Sequence, residues 1–271
     1  MKGKFMNAVL KYPRSKWNLA SWIINYFPEH HSYLEPFFGS GAVLFNKRRS
    51  DIETINDLDG DVVNLFECIR EDPEKLAGYI YMTPYARDIY EAAYQYKPSD
   101  KYEKALNFYI RLSMGYGFRT TGKRVGWKND IHGRERAYAA LDWCKLPDKI
   151  LVAAERLRGV QIENRSAIDL IKKFNYKDVL IYCDPPYMLE TRHCKQYRYE
   201  MDKSDHEELL CILKRHSGQV IISGYDTELY NRELRSWNRM SRTAYTQSGT
   251  KKEEVIWMNF DPPNQQITFD I

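Results

Sequence analysis

The residues best suited to chemistry lie in the stretch DVLIYCDPPYMLE, 178–190, where an apolar run breaks into Asp184, Pro185, Pro186 and Tyr187. Proline cannot donate to a strand ladder, so the strand ends there in a rigid turn whose carbonyls have no competing N–H. The Asp184 carboxylate and the Pro185 carbonyl can each accept one hydrogen of an –NH2 group, while Tyr187 offers a ring on which a flat base can stack. An exocyclic amine is a poor nucleophile because its lone pair is delocalised into its ring. Two acceptors that draw both N–H bonds out of plane favour the pyramidal form and free the lone pair for in-line attack on a sulfonium methyl. Positioning of this kind supplies about 7–11 kcal/mol of a barrier without a nucleophilic Cys or Ser.

A second group lies in LEPFFGSGAVLF, 34–45, where Gly39 and Gly41 follow a strand and precede an apolar run of helical character. That context lets a ligand approach backbone at the carboxyl end of a sheet. A dinucleotide fingerprint needs a third glycine where Leu44 stands, and no G-K-S/T sequence offers a triphosphate cradle. The loop therefore suits a nucleoside without a phosphate chain, of which S-adenosylmethionine is the common one, and argues against a nicotinamide oxidoreductase. Asp57 in INDLDGD stands sixteen positions beyond Gly41, where an acid at the tip of the second strand can accept both ribose hydroxyls. Asp59 and Asp61 read as turn and cap residues. Asp169 in SAIDLIKKF can accept from the adenine amino group of such a ligand, or cap a helix.

These residues need strands to carry them. Short apolar runs near 32–36, 52–56, 160–163, 178–183 and 218–223, with a late pair near 242–247 and 254–260, alternate with helical patterns. The alternation predicts an α/β fold with a doubly wound, mostly parallel sheet. About a hundred residues between the second and third strands interrupt it, so 70–157 is read as a largely helical insertion and 1–69 with 158–271 as one domain. Within the insertion, the glycines of 115–136 punctuate Arg119, Lys123, Arg124, Lys128, Arg134 and Arg136, a pattern for a basic, glycine-hinged loop or hairpin. In KSDHEELLCILKRHS, Ser204 and Glu207 have capping-box spacing ahead of a crossover helix.

Composition sets the limits. The chain has 271 residues, 43% of them hydrophobic, and a net charge of +4, enough for a large core and compatible with a local basic face. No secretory h-region and no run approaching a membrane span is present, so an intracellular, cytoplasmic protein with no membrane partner is expected. Cys68, Cys144, Cys183, Cys194 and Cys211 lack paired spacing and read as reduced thiols, and His30–His31 lacks the spacing of a helical metal site, so no metal is expected.

Together these motifs resemble the Dam-type DNA adenine-N6 methyltransferases over most of the chain: LKYPRSKW (10–17), LEPFFGSGAVLF (34–45), INDLD (55–59), VLIYCDPPY (179–187), VIISGYDT (220–227) and KKEEVIWMNF (251–260). The resemblance implies S-adenosylmethionine as cofactor, bound by Phe37, Gly39 and Gly41 with Glu35 near its methionine amino group, Asp57 on the ribose, Asp169 near the adenine ring, and Tyr12 and Lys16 alongside. It implies a flipped adenine of double-stranded DNA held by Asp184, Pro185, Pro186 and Tyr187, and base readout from the insertion, for which Arg119, Lys123, Arg124, Lys128 and Arg134 are the candidates. The stretch 188–203, with Arg192, Tyr197 and Arg198, is expected to close over the base and the DNA backbone. Arg14 departs from the family's usual glycine, and a bulky side chain there is expected to crowd the backbone beside the cofactor. Two rivals stand beside this reading: methylation of RNA or protein amide nitrogen, for which N-P-P-Y is the related sequence, and a silent DNA-binding regulator on the same fold.

Overall fold

The computed structural model describes residues 8–131, 138–191, 195–245 and 251–263. In chain order the elements are α1 (Ala20–Ile24), β1 (Ser32–Glu35), β2 (Ile52–Asn56), α2 (Gly60–Glu71), α3 (Pro73–Met82), α4 (Arg87–Ala92), α5 (Lys101–Met114), α6 (Ala139–Cys144) and α7 (Leu146–Leu157). After these come β3 (Val160–Glu163), α8 (Ala167–Lys173), β4 (Val179–Cys183), α9 (Lys203–Lys214), β5 (Gln219–Tyr225), α10 (Glu228–Glu233), β6 (Asn238–Tyr245) and β7 (Lys251–Met258).

The seven strands form one sheet in the order β3-β2-β1-β4-β5-β7-β6. β1 pairs in parallel with β2 and β4, β2 with β3, and β4 with β5. β7 runs antiparallel between β5 and β6. The expected doubly wound, mostly parallel sheet is thus present, with its antiparallel strand at the C-terminal end. The late hairpin is displaced from expectation, since β6 starts at Asn238 and β7 at Lys251. Its polar, charge-rich strand residues hid those starts from an apolar pattern.

Side chains alternate between two apolar clusters, as a strand's period of two requires. Tyr33, Leu180, Tyr182, Ile221 and Ile256 belong to one, while Leu34, Ile181, Cys183, Val220, Ile222 and Trp257 belong to the other. All five residues of β4 are buried, which explains why its sequence is continuously apolar. The second cluster is completed by Leu170, Leu209, Leu213 and Leu229 from α8, α9 and α10. The first is completed by Phe66 of α2 and by Leu76, Ile80, Tyr90, Phe108, Trp143 and Ile150 from the helices of the insertion. The insertion and the sheet therefore share one core, and α7 returns the chain to β3.

Aspartates start several helices. Asp59 caps α2, Asp72 caps α3 ahead of Pro73, and Asp100 caps α5. On α9 the capping box is Asp202 with Asp205, two residues before the expected Ser204 and Glu207. Ser204 instead donates from its hydroxyl to Asp202 Oδ1 at 2.6 Å. The run after Gly41 also departs from expectation. It closes only short turns, with Phe45 N donating to Gly41 O at 3.0 Å and Lys47 N to Val43 O at 2.9 Å, and no regular helix follows.

Candidate active site at the strand tips

The loops after β1, β2, β3 and β4 meet at the carboxyl ends of the strands, where the strand order reverses about β1 and β4. That is the expected ligand crevice of an open α/β sheet. A cavity of about 490 Å³ opens there. Tyr12, Lys16, Glu35, Phe37, Gly39, Asp57, Asp184 and Pro186 line it, joined by Arg14, Asp59, Ser166, Tyr197 and Arg198.

The loop geometry explains the glycines. Gly39 has φ +49, and a Cβ on it would meet the Tyr12 ring at 3.0 Å. Its amide donates to Asp57 Oδ2 at 2.8 Å. Gly41 has φ +67, and a Cβ there would overlap Phe38 and Phe45. It stands behind the cavity wall, so its place is set by aromatic packing rather than by contact with a ligand. Asn56 ties two of the loops together, donating to Pro36 O at 2.9 Å and accepting from Arg165 N at 2.8 Å.

The acids differ in surroundings. Burial pushes the Glu35 carboxyl up to about 8 although the Tyr33 hydroxyl donates to it at 2.8 Å. Burial likewise pushes Asp57 up to about 6, against the amides of Asp59 and Gly39. Asp59 Oδ2 is buried at the cavity wall and has no hydrogen-bond partner among the described residues. Two buried carboxylates and a spare acceptor fit a ligand that brings hydroxyl donors and positive charge, as S-adenosylmethionine does. Asp169 is exposed on the first turn of α8 and lies outside the cavity lining, which Ser166, Ala167 and Ile168 provide. Ser166, not Asp169, caps that helix.

At the tip of β4, Asp184 and Pro186 face the cavity while Pro185 and Tyr187 stand behind them. Lys16 Nζ lies 2.9 Å from Asp184 Oδ1, 3.5 Å from Glu254 Oε1 and 4.6 Å from the Tyr187 ring centroid. Burial pulls the Lys16 ammonium down, but Asp184 and Glu254 more than restore it, so its pKa lies above the ordinary lysine value. Arg14 adopts φ +53. Its side chain points away from the glycine loop, donating to Gln196 Oε1 at 3.1 Å and to the Tyr225 hydroxyl, with its guanidinium 5.5 Å from the Tyr187 ring. Arg14 also lines the cavity, so its side chain borders that space from the Tyr187 side.

The residues expected on DNA are divided. Residues 115–128 form a hairpin closed by a bridge between Gly115 and Trp127, with Tyr116 N donating to Gly126 O at 3.0 Å. It exposes Arg119, Lys123 and Arg124, the last 2.5 Å from Glu91, and half-buries Lys128. Arg134, Arg136 and Arg192 lie outside the described residues. Arg198 is committed elsewhere, to Asp59 at 2.9 Å and to Asp61, and Tyr197 packs 5.9 Å from the Tyr12 ring. Both roof the cavity instead of standing on an open surface. Sequence reasoning gave no role to Glu254, Ser223 or Tyr225, although an acid beside the apolar run VIWM was a signal for the first.

Fold and site together define the class, an α/β chain whose strand-tip cavity is bordered by the D-P-P-Y turn. The family model for D12 class N6 adenine-specific DNA methyltransferases matches residues 12–247, and the chain belongs to that family. It is 25% identical over 266 residues to the DNA adenine methylase of Escherichia coli strain K12, covering 91% of this chain and 92% of the relative. To the DNA adenine methylase of Haemophilus influenzae it is 26% identical over 271 residues, covering 90% and 88%. To the retron Ec67 DNA adenine methylase of Escherichia coli it is 24% identical over 290 residues, covering 95% of each.

Proposed function

We propose that this methyltransferase binds S-adenosylmethionine in the strand-tip cavity and methylates N6 of an adenine flipped out of duplex DNA into the turn at Asp184. The observation that carries the reading is the placement of Asp184 and Pro186 on the same cavity as Glu35, Gly39 and Asp57. One crevice thus serves donor and acceptor. When bound, the cofactor supplies an electrophilic methyl on a sulfonium. Glu35 would hold its ammonium end, and Asp57 with Asp59 the ribose.

The chain's own contribution is orientation. Asp184 Oδ1 is taken by Lys16 and by Ser223 Oγ at 3.0 Å, so Oδ2 faces the incoming amine as an acceptor. The Pro185 carbonyl, between the cavity-lining Asp184 and Pro186, would be the second acceptor once the base enters, and the two would hold the N6 lone pair toward the methyl. Flipping costs a few kcal/mol of unstacking, met by contacts of the basic hairpin 115–128.

The reading is tested by incubating the protein with unmethylated duplex DNA and methyl-labelled S-adenosylmethionine, digesting to nucleosides and identifying the labelled product. N6-methyladenine is expected, whereas label in N4-methylcytosine, or only in RNA or protein offered in parallel, overturns it.

A further inference from the structure

Glu254 is an acid with 3% exposure inside the sheet, and its contacts converge on the proposed amine site. The register of β5 and β7 sets it opposite Tyr225, so both side chains leave the same face of the sheet. The Tyr225 ring meets Tyr187 edge-on at 4.6 Å. Glu254 Oε1 accepts from the Tyr187 hydroxyl and lies 3.5 Å from Lys16 Nζ.

We propose that Glu254 is a positioning residue for methyl transfer, fixing the Tyr187 ring through its hydroxyl and sharing the Lys16 ammonium with Asp184. A carboxylate buried in a strand is costly, and apolar residues of similar volume pack such positions as well. Here both of its contacts end on residues that shape the amine-accepting turn. The electrostatics point the same way. The Lys16 ammonium is divided between two acids, 2.9 Å from Asp184 and 3.5 Å from Glu254, so Asp184 keeps more of its strength as an acceptor than it would with the ammonium to itself. With a neutral residue at 254, Lys16 is drawn wholly onto Asp184 and the acceptor weakens.

The inference rests on the proposed reaction and is tested in the intact chain with Glu254→Gln. The rate of N6-methyladenine formation at saturating DNA and cofactor is expected to fall about 10- to 100-fold, the scale of a small misplacement of reacting groups. S-adenosylmethionine affinity by calorimetry and duplex affinity are expected to stay within about twofold, so that kcat falls and KM does not. Tyr187→Phe should lower kcat too, and the double variant should be no slower than the worse single. Unchanged kcat in Glu254→Gln, or equal losses of cofactor binding and turnover, would overturn the proposal. If the wild-type chain makes no N6-methyladenine, that failure belongs to the reaction. The link is then tested by melting temperatures of the same three variants, where strict additivity overturns it and coupling supports it.

Discussion

At the scale of single residues, Glu35 is a clear case of burial acting on chemistry. With its carboxyl pushed up to about 8, the free protein holds it mostly protonated at neutral pH. A bound cationic group favours the ionised form, so binding must release a proton, and affinity should strengthen as pH rises toward about 8 and level off above it. The limit is about tenfold per pH unit. Calorimetry of S-adenosylmethionine binding in buffers of different protonation heat checks this, with Glu35→Gln as the variant that loses the pH dependence. Arg14 invites the second residue-scale test. Its side chain borders the cavity, so Arg14→Gly should leave cofactor affinity equal or tighter, and a clear loss by calorimetry would refute the expected crowding. The placement of the D-P-P-Y turn, Gly39 and Asp57 at the cavity was legible in the sequence because these motifs are local to a few positions, whereas the packing role of Gly41 was not. Glu254 was not, because it meets Tyr187 across 67 positions of chain.

At the scale of elements, the strands were legible wherever burial on both faces forces an apolar run, as in β4. Helix starts were less so, because several neighbouring polar residues can cap and only geometry chooses among them. On α9 the choice is Asp202, whose carboxylate accepts from Asp205 N at 3.0 Å. Asp202→Ala should therefore cost about 1 kcal/mol and lower the melting temperature by about 2–4 °C, while Ser204→Ala costs only a few tenths of a kcal/mol. Equal effects in thermal melts would contradict the assignment. The run after Gly41 forms turns that serve as a wall, with Ala42 and Val43 lining the cavity and the Phe45 ring packed 6.0 Å from Phe66.

At the scale of the whole molecule, the insertion is tied to the sheet by a buried charge cluster. Glu53 on β2 takes Arg156 of α7 through two bonds of 2.5 and 2.8 Å and Lys47 at 2.6 Å. Removing the acid strands two cations, so Glu53→Ala should cost about 3–5 kcal/mol, read by denaturant unfolding. No spacing in the sequence announced that cluster, since Arg156 lies 103 positions from Glu53. The basic hairpin was legible as charge and glycine, but its closure by Gly115 and Trp127 was not. Replacing Arg119 and Lys123 together by Ala should weaken duplex binding at all sequences and flatten the salt dependence by about one in slope for each lost phosphate contact. Cofactor affinity should not change.

The most direct test of the account is single-turnover methyl transfer with Asp184→Ala against wild type, each saturated with S-adenosylmethionine and unmethylated duplex. The account predicts that the variant still binds both yet forms no N6-methyladenine on the wild-type timescale. Formation of the mark at the wild-type rate would contradict it, because the turn at the tip of β4 would then not be where the amine is held.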